Sequence, residues 1–239
     1  MRITSSSPRS LSLVIPAYNE QATIATAIAE AEAVFQPFVS QYEILVIDDG
    51  STDGTAQVVE SVIRPRSPVR LIRHGGNRGY GAALRTGFEA ARMACVAFTD
   101  ADCQFDLADL RPMLALTERY PIVVGYRVGR RDPWLRRFLS AGYNCLARLL
   151  LGTRVRDCDC ALKVFRREAL VQLLPETPGF FVNTEMLSRA HRLGLKVCEV
   201  GVRHRPRLGG TSKVSLNQIP RVLATLLPFW WKQVIGGRR

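Results

Sequence analysis

Apolar residues along the chain fall into short blocks of two kinds. Leu11-Ser-Leu-Val-Ile15, Glu43-Ile-Leu-Val-Ile47, Val69-Arg-Leu-Ile72 and Ala94-Cys-Val-Ala-Phe98 are compact runs rich in branched side chains and predict buried strands. Between them, apolar positions recur at helical spacing. Ile24, Ile28, Ala31 and Phe35 form one such face, and Val58, Val59 and Val62, behind a capping Asp53, form a second. An alanine-rich stretch from about Gly81 to Arg92 forms a third. Strands alternating with helices at this spacing predict an α/β domain, a mainly parallel sheet flanked by helices.

The second half continues with a strand at Ile122-Val-Val124 and then changes character. Residues 127 to 137 are crowded with arginine, and Phe138 to Leu151 reads as an amphipathic helix. Ala161 to Phe165 reads as a strand, Asn183 to Leu193 as a helix capped by Asn183 and closed by Gly194, and Leu195 to Val202 as a strand. A basic loop, Arg203 to Lys213, precedes a final helical stretch. The division expected is a loose arm over residues 1–10, one domain over residues 11–215, and an amphipathic helical segment over residues 216–239.

Charge sharpens this picture. The formal net charge is +12, and only Lys163, Lys196, Lys213 and Lys232 among the cations are lysines. Arginine carries a rigid fork of donors that matches phosphate, so an anionic substrate or an anionic membrane surface fits. The six cysteines, among them the pair in Cys158-Asp159-Cys160, lack zinc-site spacing and read as reduced thiols. No secretion signal and no membrane-spanning apolar stretch stand out, which leads to the expectation of a cytoplasmic protein.

The chemistry gathers at strand ends. In open parallel sheets, ligands bind beyond the carboxyl ends of the strands. Here the first strand runs into Pro16-Ala-Tyr-Asn-Glu20, the second into Asp48-Asp-Gly-Ser51, and the fourth into Asp100-Ala-Asp-Cys-Gln104. Asp100-x-Asp102 offers hard oxygen ligands suited to Mg²⁺ or Mn²⁺, and aspartates in a capping turn are the bland alternative. Asp48 and Asp49 suit ribose hydroxyls and a base edge, and Tyr18 could stack on the base. His74-Gly-Gly-Asn-Arg-Gly-Tyr-Gly81 lacks the third glycine of a dinucleotide loop. It is read instead as a loop that lets backbone approach a donor phosphate or ribose, with Arg78 assisting.

These residues resemble glycosyltransferases of family 2 with the GT-A (Rossmann-like) nucleotide-sugar fold. The closer resemblance is to dolichol-phosphate mannosyltransferases and bacterial polyprenyl-phosphate glycosyltransferases. It is carried by Pro16 to Glu20, Asp48-Asp-Gly-Ser-x-Asp53, Gly76-Asn-Arg-Gly79 and Asp100-Ala-Asp-x-Gln104, and spans roughly residues 11 to 215. By that resemblance the nucleotide sugar (a GDP- or UDP-sugar) is held by Pro16, Ala17, Tyr18, Glu20, Ile47, Asp48, Asp49, Arg78, Asp100, Ala101 and Asp102. Asp100, Asp102 and Gln104 would hold the metal. Arg127, Arg136, Arg207 and Lys213 would position phosphates, and Lys163 would follow a turn near the site.

The implied acceptor is a polyprenyl phosphate. A sugar hydroxyl needs a general base, whereas a phosphomonoester, with a second pKa of about 6, is mostly dianionic at neutral pH and attacks unaided. Glu185 is the carboxylate that could line a sugar pocket, although a capping role serves it as well. A lipid acceptor implies attachment at the cytoplasmic face of a membrane or a membrane-protein partner, with Phe138 to Leu151 and Val222 to Ile235, bearing Trp230 and Trp231, as interfacial candidates. Competing readings are a family 2 enzyme acting on a saccharide or glycolipid hydroxyl, a nucleotidyltransferase, and a basic binding module. A nucleic-acid partner conflicts with three acidic strand ends.

Overall fold

The computed structural model describes residues 10–129, 134–206, 226 and 228–231, with the side chains of 134–140 left aside. The first half builds as its pattern dictates: β1 (Ser10–Ala17), α1 (Ile24–Phe35), β2 (Gln41–Asp48), α2 (Thr55–Val62), β3 (Val69–Arg73), α3 (Tyr80–Ala90) and β4 (Cys95–Phe98). The second half adds α4 (Leu110–Leu116), β5 (Ile122–Val128), α5 (Trp134–Leu151), β6 (Lys163–Arg166), α6 (Arg167–Leu170), α7 (Val182–Arg192) and β7 (Val197–Arg203). The strands form one seven-stranded sheet in the order β3-β2-β1-β4-β6-β5-β7.

β1 to β4 pair in parallel, as do β5 and β7. The exception is β6, which lies antiparallel between β4 and β5. Its first residue, Lys163, therefore sits beside Phe98 and Val124, level with the carboxyl end of β4. The order of strands also reverses between β1 and β4, so the crevice expected of a doubly wound sheet opens where β1, β2 and β4 end.

β1 and β2 are buried almost throughout because α1 and α2 cover one face and α3 the other; continuous branched runs are what two-sided burial requires. α3 lies close enough that a Cβ at Gly87 would collide with Val14 Cγ1 and come 3.2 Å from Ile47 Cγ1. A ring cluster of Phe88, Phe98 and Phe165 ties α3 to β4 and β6. A separate apolar cluster joins Leu151 of α5, Phe181 and Leu226, with Tyr143, Leu146, Leu150, Phe229 and Trp230 packed against it. Phe229 and Trp230 are thus packed on the domain, and Trp231 and Leu149 stay exposed.

One expectation changes. Asn183 does not cap α7; it lies inside the helix, and its Oδ1 accepts a hydrogen bond from Lys163 Nζ at 3.0 Å. The short helix α4 carried no clear periodic signal at sequence level. Most of the 1–10 arm and of the 216–239 segment lies outside the described residues.

Replacing Gly87 by Ala sets a collision inside the sheet–helix interface against a gain in helix propensity. The net loss expected is about 1–2 kcal/mol, read as a lower denaturation midpoint with an unchanged m-value.

Candidate functional site

The crevice is assembled from three strand ends and is held by backbone hydrogen bonds between them. Ala17 O accepts from Asp49 N at 2.8 Å, Val14 O from Thr99 N at 3.1 Å, and Asp48 O from His74 N at 2.9 Å. Pro16 and Ala17 pair with Ile47 and Asp48 in the sheet, and all four side chains are buried. Asn19 and Ser51 then lock the first two ends together: Ser51 Oγ accepts from Asn19 N at 2.9 Å, and Asn19 Oδ1 accepts from Thr52 N at 2.8 Å. Glu20 N donates to Thr55 Oγ1 at 2.9 Å. Tyr18, Gly50, Ser51, Thr52, Arg73, His74, Gly75, Gly76 and Asn77 line an open cleft of about 730 Å³. A second groove of about 790 Å³, lined by Arg92, Cys95 and Arg166 among others, lies at the opposite edge of the sheet, away from these strand ends.

The paired aspartates that end β2 divide their work. Asp48 is buried; its Oδ1 accepts from Ser51 N at 3.0 Å, while its Oδ2 has no hydrogen-bond partner and lies 3.5 Å from Arg73 Nε. A buried carboxylate oxygen without a hydrogen bond is costly and rare, and here the Arg73 guanidinium, which lines the cleft, supplies the opposing charge. Asp49 faces inward. It accepts from Arg78 N at 2.9 Å and Gly79 N at 2.8 Å, and its Oδ1 lies 2.7 Å from His74 Nδ1, whose other nitrogen reaches Thr86 Oγ1 at 2.9 Å. Asp49 thus clamps the 74–79 loop in place, and its two oxygens already have partners within the protein. Arg78 extends an exposed side chain from that loop.

The glycines of the loop serve a purpose different from the one read in the sequence. Gly79 has φ +97°, and a Cβ there or on Gly81 would strike the backbone carbonyls of Pro178 or Thr177. Gly81 N donates to Pro178 O at 2.6 Å, so the first turn of α3 is closed by protein. Gly79 and Gly81 admit the 175–179 loop, and Gly75 and Gly76 are the glycines that face open space along the cleft.

The 175–179 loop is in turn pinned by Glu185. This carboxylate is fully buried and accepts from Glu176 N at 2.8 Å and Thr177 N at 2.9 Å; it also takes the Thr177 hydroxyl and pairs with Arg189 Nη2 at 2.9 Å. A carboxylate held by three donors and a guanidinium is not placed to remove a proton from an acceptor.

Asp100 and Asp102 emerge from the end of β4, with Ala101 and Asp102 buried and Asp100 half-buried. Burial, and then the neighbouring Asp102, push the Asp100 carboxyl up to about 6. Three groups oppose that push. Tyr80 Oη donates to Asp100 Oδ1 at 2.9 Å, and Lys163 and Arg127 add positive charge. Burial and the two aspartates in turn hold the Tyr80 phenol well above its usual range. Gln104 N donates to Asp102 Oδ1 at 3.2 Å, and Gln104 Nε2 reaches Arg205 O at 3.4 Å.

Lys163 is buried at the foot of this group. Its ammonium donates to Cys158 O at 3.0 Å, to Cys160 O and to Asn183 Oδ1, and lies 5.4 Å from the centroid of Phe98. Desolvation lowers its pKa. The turn that it holds carries Asp157, which grips Arg127 through two bonds, Nε to Oδ2 at 2.7 Å and Nη2 to Oδ1 at 2.8 Å.

The residues fit a divalent cation. Two neighbouring carboxylates, one already driven toward protonation by burial and then by the other, are relieved by a 2+ charge. Among the described residues no cluster of three or more His, Cys, Asp or Glu could enclose a metal alone, as expected where one or two carboxylates share a cation with a substrate diphosphate.

Of the remaining cations, Arg205 pairs with Glu30 at 2.9 Å and Asp106 at 3.0 Å rather than standing open for phosphate. Arg136 lies on α5 with its side chain outside the described residues, and Arg207 and Lys213 are outside them altogether. Tyr80 and the clamping roles of His74 and Asp49 were missed at sequence level. Among the described residues no helix is long and apolar enough to cross a membrane.

Residues 12–174 match the family described as Glycosyl transferase family 2. The chain is 31% identical to glycosyltransferase AglD of Haloferax volcanii over 95% of its own length. It is 30% identical to dodecaprenyl-phosphate galacturonate synthase of Rhizobium johnstonii over 91%, and 30% identical to dolichyl-phosphate beta-glucosyltransferase of Dictyostelium discoideum over 80%. It spans 38% of the length of the first and 65% of each of the other two. Glucosyl-3-phosphoglycerate synthase from Mycobacterium tuberculosis, solved with Mn²⁺, UDP and phosphoglyceric acid, superposes with a TM-score of 0.71 at 26% identity, covering 93% of this chain and 78% of that one.

The raised Asp100 carboxyl sets a pH dependence. Between the unfolded value of about 4 and the folded value of about 6, the folded state holds a proton that the unfolded state does not, so stability falls as pH rises through this window. In chelator, Asp100→Asn should be the more stable protein at pH 7.5, by on the order of 2 kcal/mol, and the gap should close toward pH 4. Melting curves at the two pH values check this.

Proposed function

The chain belongs to glycosyl transferase family 2, and on that premise we propose that it moves a sugar from a nucleoside-diphosphate sugar to a polyprenyl phosphate at a membrane surface. The observation that carries the donor half is the Asp100–Asp102 pair at the end of β4, taken with the cleft lined by Tyr18, Arg73, Gly75 and Gly76. Asp48, whose Oδ2 takes no hydrogen bond and lies 3.5 Å from Arg73 Nε, is assigned to the N–H edge of a uracil or guanine base. Tyr18, Gly75 and Gly76 line the space such a base and ribose would take. Asp100, Asp102 and Gln104 would hold Mg²⁺ or Mn²⁺, whose charge offsets that of the departing diphosphate.

Glu185 bears on the acceptor half. Its engagement by Glu176, Thr177 and Arg189 takes this carboxylate out of reach as a base for a hydroxyl acceptor. A phosphomonoester dianion needs none. In the transfer, an acceptor phosphate oxygen forms the bond to the anomeric carbon from the face opposite the diphosphate. The carbon–oxygen bond to the diphosphate breaks, its electron pair leaves with the nucleoside diphosphate, and the anomeric centre inverts. Arg127, fixed by Asp157, supplies positive charge at the site, and Arg136, Arg207 and Lys213 are assigned to the acceptor and leaving phosphates. Polyprenyl-phosphate transferases among the relatives support this acceptor class. Attachment is peripheral, at the cytoplasmic face, with exposed Leu149 and Trp231 in contact with lipid.

The test is nucleotide release from GDP- and UDP-sugars with Mn²⁺ or Mg²⁺ and a short polyprenyl phosphate. Release that requires both the metal and the lipid phosphate is expected, and release driven by saccharide hydroxyls would overturn the acceptor assignment. Asp102→Ala should lower kcat by about 10²–10³ or more in that assay, because it removes a fixed charge aimed at the leaving group.

A further inference from the structure

Phe180 and Phe181 are adjacent in sequence and reach two different parts of the molecule. The Phe180 ring stacks on Tyr80, with centroids 5.3 Å apart and planes at 24°. Tyr80 is the residue whose hydroxyl holds Asp100 Oδ1. Phe181 is buried and meets Phe229 edge to face, with centroids 5.1 Å apart and planes at 71°. Phe229 belongs to the 226–231 segment, which joins the domain through the small apolar cluster that includes Leu151 and Leu226.

The surroundings leave this two-residue step little freedom. On one side, Glu185 fixes Glu176 and Thr177, and Pro178 O fixes Gly81 N. On the other, Glu185 N closes onto Phe181 O, and Tyr143 of α5 bonds Thr184 at 2.6 Å. The packing of Phe229 on Phe181 is a ring contact that comes from outside this frame. A displaced Phe181 carries Phe180 with it. The phenol stacked on Phe180 then shifts, and a hydrogen bond weakens steeply with misalignment.

We propose that the Phe180–Phe181 pair couples the 226–231 segment to the Asp100 carboxylate, so that Phe229 is a positioning residue for the metal–donor site. This inference rests on the reading that Asp100 and Asp102 bind a divalent cation with the donor diphosphate. The coupling runs both ways: whatever seats the segment tightens donor binding, and bound donor and metal hold the segment in place. Trp231, exposed at the end of the described segment, and Leu149 on α5 lie in the elements that this cluster joins, so a lipid surface that seats the segment would act through it on donor affinity.

The experiment is calorimetric titration of the full chain with UDP and with GDP, each with and without Mn²⁺, for the native protein, Phe229→Ala, Tyr80→Phe and the double variant. Each single change is expected to weaken Mn²⁺-dependent binding by about three- to thirtyfold. Binding without metal should stay at the native level. The double variant should be no weaker than the weaker single variant, because both changes break one path. Native affinity in Phe229→Ala, losses that multiply in the double variant, or an equal loss with and without Mn²⁺ would each overturn the coupling alone. A native chain that binds neither nucleotide with Mn²⁺ overturns the functional reading along with it. If Phe229→Ala melts below the assay temperature, Phe229→Leu keeps the apolar volume without the ring edge, and the same outcomes apply to it.

Discussion

Two carboxylates set side by side at a buried strand end are the constraint around which this molecule is organised. Burial and a neighbouring like charge both raise the cost of ionising a carboxyl, and at Asp100 burial, then Asp102, pushes the group up. Everything next to the pair works against that cost: the Tyr80 hydroxyl from α3, the Lys163 ammonium from β6, and the Arg127 guanidinium from β5. The Tyr80 hydroxyl and the two cations offset part of that cost, and Asp100 stays raised all the same.

The same economy governs the donor side. Asp49, although it stands in an acidic strand end that faces a cleft, acts as a brace. Its oxygens, with His74, fix the 74–79 loop, and that loop opens onto the cleft through Gly75 and Gly76. Glu185 is a second brace, fixing the 175–179 loop against the first turn of α3. Asp48, by contrast, keeps one oxygen that takes no hydrogen bond and faces Arg73 at 3.5 Å. All three acids are buried, and two of them are bound fully within the protein.

The sequence made the layered α/β architecture readable because continuous apolar runs and helical spacing report burial directly. The acidic strand ends were readable because polar residues after such runs must lie at the sheet's edge. What escaped was whatever depends on partners far apart in the chain. Nothing local marks Tyr80 as the donor to Asp100 or Asn183 as the acceptor for Lys163. The glycines at 79 and 81 looked like a ligand loop because a glycine reports only that something comes close, and here that neighbour is the backbone at 177–178. Lys163, a lone cation inside Ala161 to Phe165, was the visible anomaly; a lysine in a buried strand demands fixed acceptors, and the turn before it supplies them.

The antiparallel β6 has a consequence for the order in which the chain becomes competent. β1 to β4 close through successive local crossovers, so the base cleft forms from contiguous sequence. Phe98, however, waits for Lys163 as its neighbour, with all of α4, β5 and α5 made in between. Closing so long a loop is entropically slow compared with the local steps. During synthesis the acid pair therefore stays without its buried cation until the second half has been threaded back between β4 and β5. The cleft at the ends of β1 and β2 is thus drawn from one contiguous stretch, whereas the acid pair gains its buried cation only from the second half.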